Sequence, residues 1–111
     1  MEPSMADETR MTAVATANAI VNGELGLIQG CIRLSSLAHD LVPDWRVDQD
    51  FVIVGGVASE TDDLPTGSAR EYWSQTALGR EDKKIAEYET RIREKVVAAC
   101  RNIASRFATR N

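Results

Sequence analysis

The chain has 111 residues, of which 43% are hydrophobic and 27% are charged, and its net charge is −4. This composition is typical of one globular domain. It argues against a disordered chain and a general nucleic-acid-binding surface, and two cysteines are too few for a disulfide scaffold. No apolar run approaches the roughly 18 residues of a membrane span, and no basic, hydrophobic leader is visible, so we expect a single cytoplasmic domain over residues 1–111.

Residues 4–41 are predicted to form one long helix. Ser4 and Asp7 have the spacing of a capping box at its start. A seam with alternating spacings of four and three residues follows, and eight of its nine positions are apolar. The seam consists of Ala13, Ala17, Ile20, Glu24, Leu27, Cys31, Leu34, Ala38 and Leu41. Pro43 ends the helix, because proline disfavours helical geometry in the residue before it.

Two further stripes lie on this predicted helix, one apolar and one of small residues. The apolar stripe is Val21, Leu25, Ile28 and Ile32, and the small one is Ala19, Gly23, Gly26 and Gly30. Glycine costs about 1 kcal/mol relative to alanine inside a helix, which indicates that another backbone comes close. One partner helix and the connecting segment can cover only two of the three faces. We therefore predict a homodimer with Gly23, Gly26 and Gly30 at its interface.

The connection over residues 42–67 is long for a structureless loop. Residues 51–57 are rich in branched apolar side chains and are followed by turn residues, which is typical of a β-strand. No second strand candidate exists in the sequence. The segment therefore either pairs with a symmetry mate or lies as an extended strap over the helices, and we favour the strap.

A second long helix is predicted over residues 68–107, beginning at Ser68 or Ser74. Ser68 and Glu71 have capping-box spacing. Basic residues are concentrated in the final turns, where their positive charge interacts favourably with the helix dipole. Its seam is Leu78, Asp82, Ile85, Glu89, Ile92, Val96, Ala99, Ile103 and Phe107. The predicted fold is all-α: a long antiparallel helical hairpin with an extended connecting strap, completed to a helical bundle by dimerisation.

Charge is unevenly distributed along the chain. Residues 40–63 hold seven acids and one base, a net charge of −6, and residues 80–111 hold nine bases and five acids, a net charge of +4. These segments could attract each other within one chain or between chains. The acidic middle segment, residues 40–63, is either a solvated face or a surface that binds a protein partner.

The most distinctive string runs from Ser59 through Glu60, Thr61 and Asp62 to Leu64-Pro65, with Arg70 and Trp73 following. With it the chain resembles a family of small uncharacterised bacterial proteins, a domain of unknown function. The resemblance also rests on Gly23, Glu24, Arg33, Ala77, Leu78, Asp82, Ile85, Ala86 and Glu89. It covers residues 15–107 and implies membership, but no activity, cofactor or partner.

The candidate polar site gathers residues from the string and from both predicted helices: Glu24, Arg33, Ser59, Glu60, Asp62, Arg70, Trp73, Asp82 and Glu89. Hydroxyl and carboxylate side chains in the string can cap turns, so the string could lock the strap onto the helix ends. The alternative is a carboxylate site for a ligand. In an antiparallel hairpin, Glu24 would face Glu89 and Arg33 would face Asp82. This spacing favours two polar layers, with Arg33 and Arg70 neutralising the acids.

No catalytic residue, metal ligand set or cofactor motif is predicted. His39 is the only histidine, and zinc needs three or four ligands at suitable spacing. Cys31 and Cys100 are predicted to be buried thiols too far apart for a disulfide. Two functions remain open. The favoured one is a non-enzymatic protein–protein interaction module of the accessory or immunity type, without nucleic-acid or membrane partners. The alternative is a site at the carboxylates that binds a small molecule or a divalent metal, with hydrolysis as one activity it could support.

Overall fold

The structure, a computed structural model, describes residues 5–61 and 74–108. These residues form helices and connecting turns and contain no strand, which confirms the all-α prediction. The helices are α1 (Met5–Val21), α2 (Leu27–Leu41), α3 (Phe51–Glu60) and α4 (Gln75–Ala108), with a single turn of 3-10 helix at Trp45–Val47.

The single first helix predicted over residues 4–41 is wrong, because the structure breaks it between α1 and α2. Gly23 has φ 77°, a left-handed conformation that glycine adopts without steric cost. The N–H groups of Gly23 and Glu24 donate to the carbonyls of Ile20 and Ala19 at 3.2 and 2.9 Å, the two hydrogen bonds of a Schellman helix end. The break falls on Glu24, the one polar position of the predicted seam.

The break lets α2 fold back against α1, and Gly30 is where the two helices come closest. A Cβ atom on Gly30 would lie 2.3 Å from two side-chain carbons of Ile20, so only glycine fits there without a shift. The neighbour at Gly30 is a side chain of the same chain, whereas the prediction was that another backbone comes close. The apolar seam positions on both helices are buried or half-buried, as predicted.

The predicted strand or strap over residues 51–57 is also wrong, since these residues lie in α3. Asp48 accepts hydrogen bonds through Oδ1 from the N–H groups of Asp50 and Phe51, both at 3.0 Å, and so satisfies donors that the first turn would leave free. The buried positions of α3 are Phe51, Val54, Gly55 and Val57, which follow a helical period. Packing overrides the β preference of branched residues.

The four helices pack as two pairs, α1 along α4 and α2 along α3. Arg10 near the start of α1 lies over the ring of Phe107 near the end of α4, 5.2 Å from its centroid. These two helices are therefore antiparallel. Phe107 also contacts Phe51, with ring centroids 6.1 Å apart, which joins the two pairs. The described residues of one chain thus supply four helices. The prediction had obtained four helices by combining the hairpins of two chains.

The helix α4 has 34 residues and is about 51 Å long at about 1.5 Å per residue, which matches the 52 Å long dimension of the molecule. Ser74 accepts the N–H of Ala77 through its hydroxyl at 3.1 Å, so the predicted start at Ser74 is confirmed, whereas Ser68 lies outside the described residues. Among the described helices, none combines the length and the apolar character needed to cross a bilayer.

Both cysteines are buried free thiols, as predicted, but they lie near enough to interact electrostatically, because α2 and α4 do not have the register of the predicted two-helix hairpin. Burial raises the pKa of Cys31 to about 12, and the nearby Cys100 adds to the rise. Burial also raises the pKa of Cys100 to about 11. Both thiols therefore stay protonated at neutral pH, so thiolate chemistry at either sulfur is disfavoured.

Candidate functional site

The residues of the predicted polar site lie at several places on the structure. Glu24 is exposed in the turn between α1 and α2, and Arg33 is exposed on α2. On α4, Asp82 is exposed, and Glu89 pairs one turn along its own helix with Arg93 at 3.6 Å. The other predicted members are either outside the described residues (Asp62, Arg70 and Trp73) or at the end of α3 (Ser59 and Glu60).

The described part of the Ser-Glu-Thr-Asp string lies at the end of α3, and one of its side chains is hydrogen-bonded to α4. Ser59 is exposed, whereas Thr61 is buried and donates its hydroxyl to the carbonyl of Val57 at 2.7 Å. Glu60 accepts a hydrogen bond through Oε2 from the hydroxyl of Tyr88, also at 2.7 Å. Partial burial raises the pKa of Tyr88 above its usual range, and the bond to Glu60 raises it further. Tyr88 therefore stays protonated and donates this hydrogen bond at physiological pH.

Arg106 on α4 pairs with two acids of the acidic middle segment. Its guanidinium donates to both oxygens of Asp48 at 2.9 and 2.8 Å and to Oδ2 of Asp50 at 2.9 Å. Asn102, one turn earlier, donates to the other oxygen of Asp50 at 3.0 Å. We call this set of four residues the Arg106 clamp. It confirms that the acidic and basic segments attract each other within one chain.

Burial and charge hold the Arg106 clamp together. Asp50 is only 3% exposed, and a buried carboxylate needs a charged or hydrogen-bonding partner to remain ionised. Hydrogen bonds from the Arg106 guanidinium lower the pKa of Asp48 from 3.8 to about 2. The carboxylates raise the pKa of Arg106 in turn. Asp48 and Arg106 are therefore both charged at neutral pH, and the clamp ties the start of α3 to α4.

Between the clamp and the Glu60–Tyr88 hydrogen bond, α3 and α4 enclose an open groove. It consists of two adjoining hollows of about 190 and 430 Å³ that share Ile53 and Lys95. The first hollow is lined by Val52, Ile53, Gly56, Val57, Glu60, Tyr88, Ile92 and Lys95. The second is lined by Gln49, Asp50, Ile53, Lys95, Ala98, Ala99 and Asn102. We call the two together the α3–α4 groove, and most of its exposed lining surface is apolar, although half of its lining side chains are polar or charged.

The charged groups of the groove have distinct roles. Glu60 and Asp50, near its two ends, are already hydrogen-bonded to α4. Lys95 lies between them, is exposed, and makes no ion pair with any residue of the described segments. Across residues 5–61 and 74–108, no three His, Cys, Asp or Glu side chains are arranged to hold a metal ion. The groove offers contact to a largely apolar surface, and Lys95 at its middle is a cation that has no ion pair among the described residues.

Sequence reasoning missed several residues that build this region. Asp48, Asp50 and Arg106 were visible only as part of the opposite net charges of the two segments. Tyr88 had no signal of its own, because its partner Glu60 is 28 positions away. Gly56 was hidden within a stretch that resembled a strand.

Comparison with known proteins places the chain in a family. No curated protein and no solved structure matches the chain. The family model described as "Protein of unknown function (DUF2489)" matches residues 8–103, which is most of the chain and includes all of α2 and α3. The chain therefore belongs to the DUF2489 family of proteins of unknown function.

Proposed function

We propose that this chain is a non-enzymatic protein-binding module, of the accessory or immunity type, and that the α3–α4 groove is its binding surface. The observation that carries the proposal is the groove itself, an open and largely apolar surface between two helices. Val52 on its rim is 40% exposed. Hydrophobic grooves between helices are a recurring form of protein-binding surface.

The groove lies on the acidic middle segment, because α3 falls within residues 40–63. Four of the described acids of this segment are already paired within the chain. Asp44 pairs with Arg46, and Asp48, Asp50 and Glu60 are engaged with α4. Apolar contacts would therefore provide most of the binding free energy, while the polar rim would orient the partner.

Site-specific photo-crosslinking tests this proposal. Benzoylphenylalanine is placed at position 52 in the groove or, as a matched control, at position 32 on α2, where Ile32 is also 40% exposed. The full chain is expressed in its native host and irradiated. We expect a discrete protein adduct from position 52 that position 32 does not give.

A second variant pair separates groove binding from random contact. A Cβ atom on Gly56 would meet nothing within 4 Å, and the same holds for Gly79 on α4 outside the groove. Gly56→Trp should fill the groove and abolish the adduct from position 52, whereas Gly79→Trp should leave it unchanged. Absence of a position-specific adduct, or equal adducts with both variants, would refute the proposal.

We also propose that the chain forms a homodimer, as the stripe of small residues predicts. Of the three glycines in that interface prediction, Gly30 is buried against Ile20 and Gly23 forms the turn, whereas Gly26 is exposed. Gly26 is therefore the position at which self-association is best tested.

A further inference from the structure

The α3–α4 groove has the length and the lining that suit a helix. Along α4 it runs from Tyr88 to Asn102, about 21 Å at about 1.5 Å per residue. A partner helix of about four turns would match that length. Within residues 5–61 and 74–108 no strand edge is present. A partner can therefore contact the side chains of the groove but cannot pair with its backbone as an added strand. Amphipathic helices bind such grooves through apolar anchors three and four residues apart.

Small residues allow a partner to approach closely on both sides of the groove. Gly56 lies on α3, and Ala98 and Ala99 lie on α4. Glycine in the middle of a helix makes that helix less stable than alanine would. At Gly55 the packing requires it, because a Cβ atom there would lie 2.6 Å from the ring of Trp45. At Gly56 no atom lies within 4 Å of a Cβ, so packing within the described chain does not require glycine, and another helix can occupy that space.

The charge pattern selects the chemistry of the partner. Lys95 borders both hollows and makes no ion pair within the described parts of the chain, whereas Glu60 and Asp50 are satisfied by α4. A helix lying in the groove would complement Lys95 with an acidic side chain at its middle. A second copy in two-fold symmetric, antiparallel alignment would instead bring two Lys95 side chains together, which disfavours this chain as its own occupant.

Resting on the proposed function, we infer that the α3–α4 groove binds an amphipathic helix of another protein that has an acidic residue facing Lys95. Apolar anchors on either side of that residue contact Ile53, Val57 and Ile92. The acid sets the register of the helix in the groove. Lys95 is thus a specificity-determining residue of the binding surface.

The experiment begins with the adduct from position 52, whose site on the partner is mapped by mass spectrometry. A synthetic peptide of the mapped segment is titrated against the full chain by fluorescence anisotropy. We expect the affinity to fall at least tenfold with Lys95→Glu and less with Lys95→Gln. Changing the facing acid of the peptide to lysine should restore binding to Lys95→Glu. A central proline in the peptide should abolish binding, because it interrupts a helix.

The outcomes separate the two proposals. An unchanged affinity with Lys95→Glu, or tight binding of the proline peptide, would overturn the acidic-helix inference and leave the protein-binding function standing. An adduct that maps to this chain itself, to a lipid or to a nucleic acid would also overturn it. Failure to obtain any position-specific protein adduct would instead refute the proposed function.

Discussion

Replacing Arg106 by alanine removes the only cation that contacts Asp48 and Asp50 in the described structure. Breaking a buried ion pair from one side costs about 3–5 kcal/mol, because the remaining charge is left without its partner. Asp50 would retain only the hydrogen bond from Asn102. The Arg106 side chain is 35% exposed, so water can replace part of the interaction. We therefore expect Arg106→Ala to lower the free energy of unfolding by about 2–4 kcal/mol.

Urea denaturation at pH 7, followed by circular dichroism, measures this loss. Arg101→Ala is the matched control, since Arg101 is an exposed arginine on the same helix, and it should change the unfolding free energy by less than about 0.5 kcal/mol. Arg106→Lys keeps the charge but loses the paired hydrogen bonds, so we expect an intermediate loss. Equal effects of Arg106→Ala and Arg101→Ala would show that the clamp contributes nothing to stability.

The pH dependence provides a separate check on the clamp. The pKa of Asp48 is lowered from 3.8 to about 2 on folding, so its contribution is fully present above about pH 4 and is lost as the pH falls toward 2. A shift of this size corresponds to about 2 kcal/mol. The wild-type chain should therefore lose more stability than Arg106→Ala between pH 5 and pH 2. Parallel curves for the two proteins would contradict the assignment.

Three further predictions use the glycines and the thiols. Gly55→Ala should destabilise the fold by about 1–3 kcal/mol through overpacking against a tryptophan ring. Gly56→Ala should stabilise the fold by up to about 1 kcal/mol. Thermal melts that rank the two variants in the opposite order would contradict the packing of α3. Cys31 and Cys100 should react with Ellman's reagent at pH 8 only after unfolding, so rapid reaction in the native protein would show that a thiol is accessible. The chain should scatter light as a dimer of about twice its 12.2 kDa mass, and Gly26→Leu should convert it to monomer, whereas a wild-type monomer at micromolar concentrations would refute the homodimer.

The periodicity of apolar residues could predict the helical class and most of the core. The seam residues Ala13, Ala17, Cys31 and Leu34 are all fully buried, although they lie on two helices and not on one. The spacing of a four-three seam indicates which side of each helix faces the core. That spacing stays the same when one seam position lies in a turn between two helices. The seam alone therefore could not show that Glu24 lies in a turn.

Local signals were present at the two places where the prediction failed, but they were outweighed by longer patterns. The Asn22–Gly23 pair is a common turn signal, yet it stands in the middle of a long helical period. Residues 51–57 have the composition of a strand, and two contacts favour a helix instead: the packing of the Trp45 ring against Gly55 and the local cap from Asp48. Long-range partners such as Arg106 cannot be paired from one sequence, because many combinations of acid and base are compatible with its charge pattern.

Two polar attachments of α3 to α4, which we call its ties, explain why the groove between these helices stays open. α3 is joined to α4 by the Arg106 clamp at its start and by the Glu60–Tyr88 hydrogen bond at its end. Between these ties the facing residues include Gly56, Ala98 and Ala99, which are too small to fill the space between two helices. The ties therefore hold α3 in place beside an interval that its own side chains leave open. A clamp that stabilises the fold also fixes the width of the surface proposed to bind a partner, so loss of Arg106 should weaken partner binding beyond its effect on the folded population.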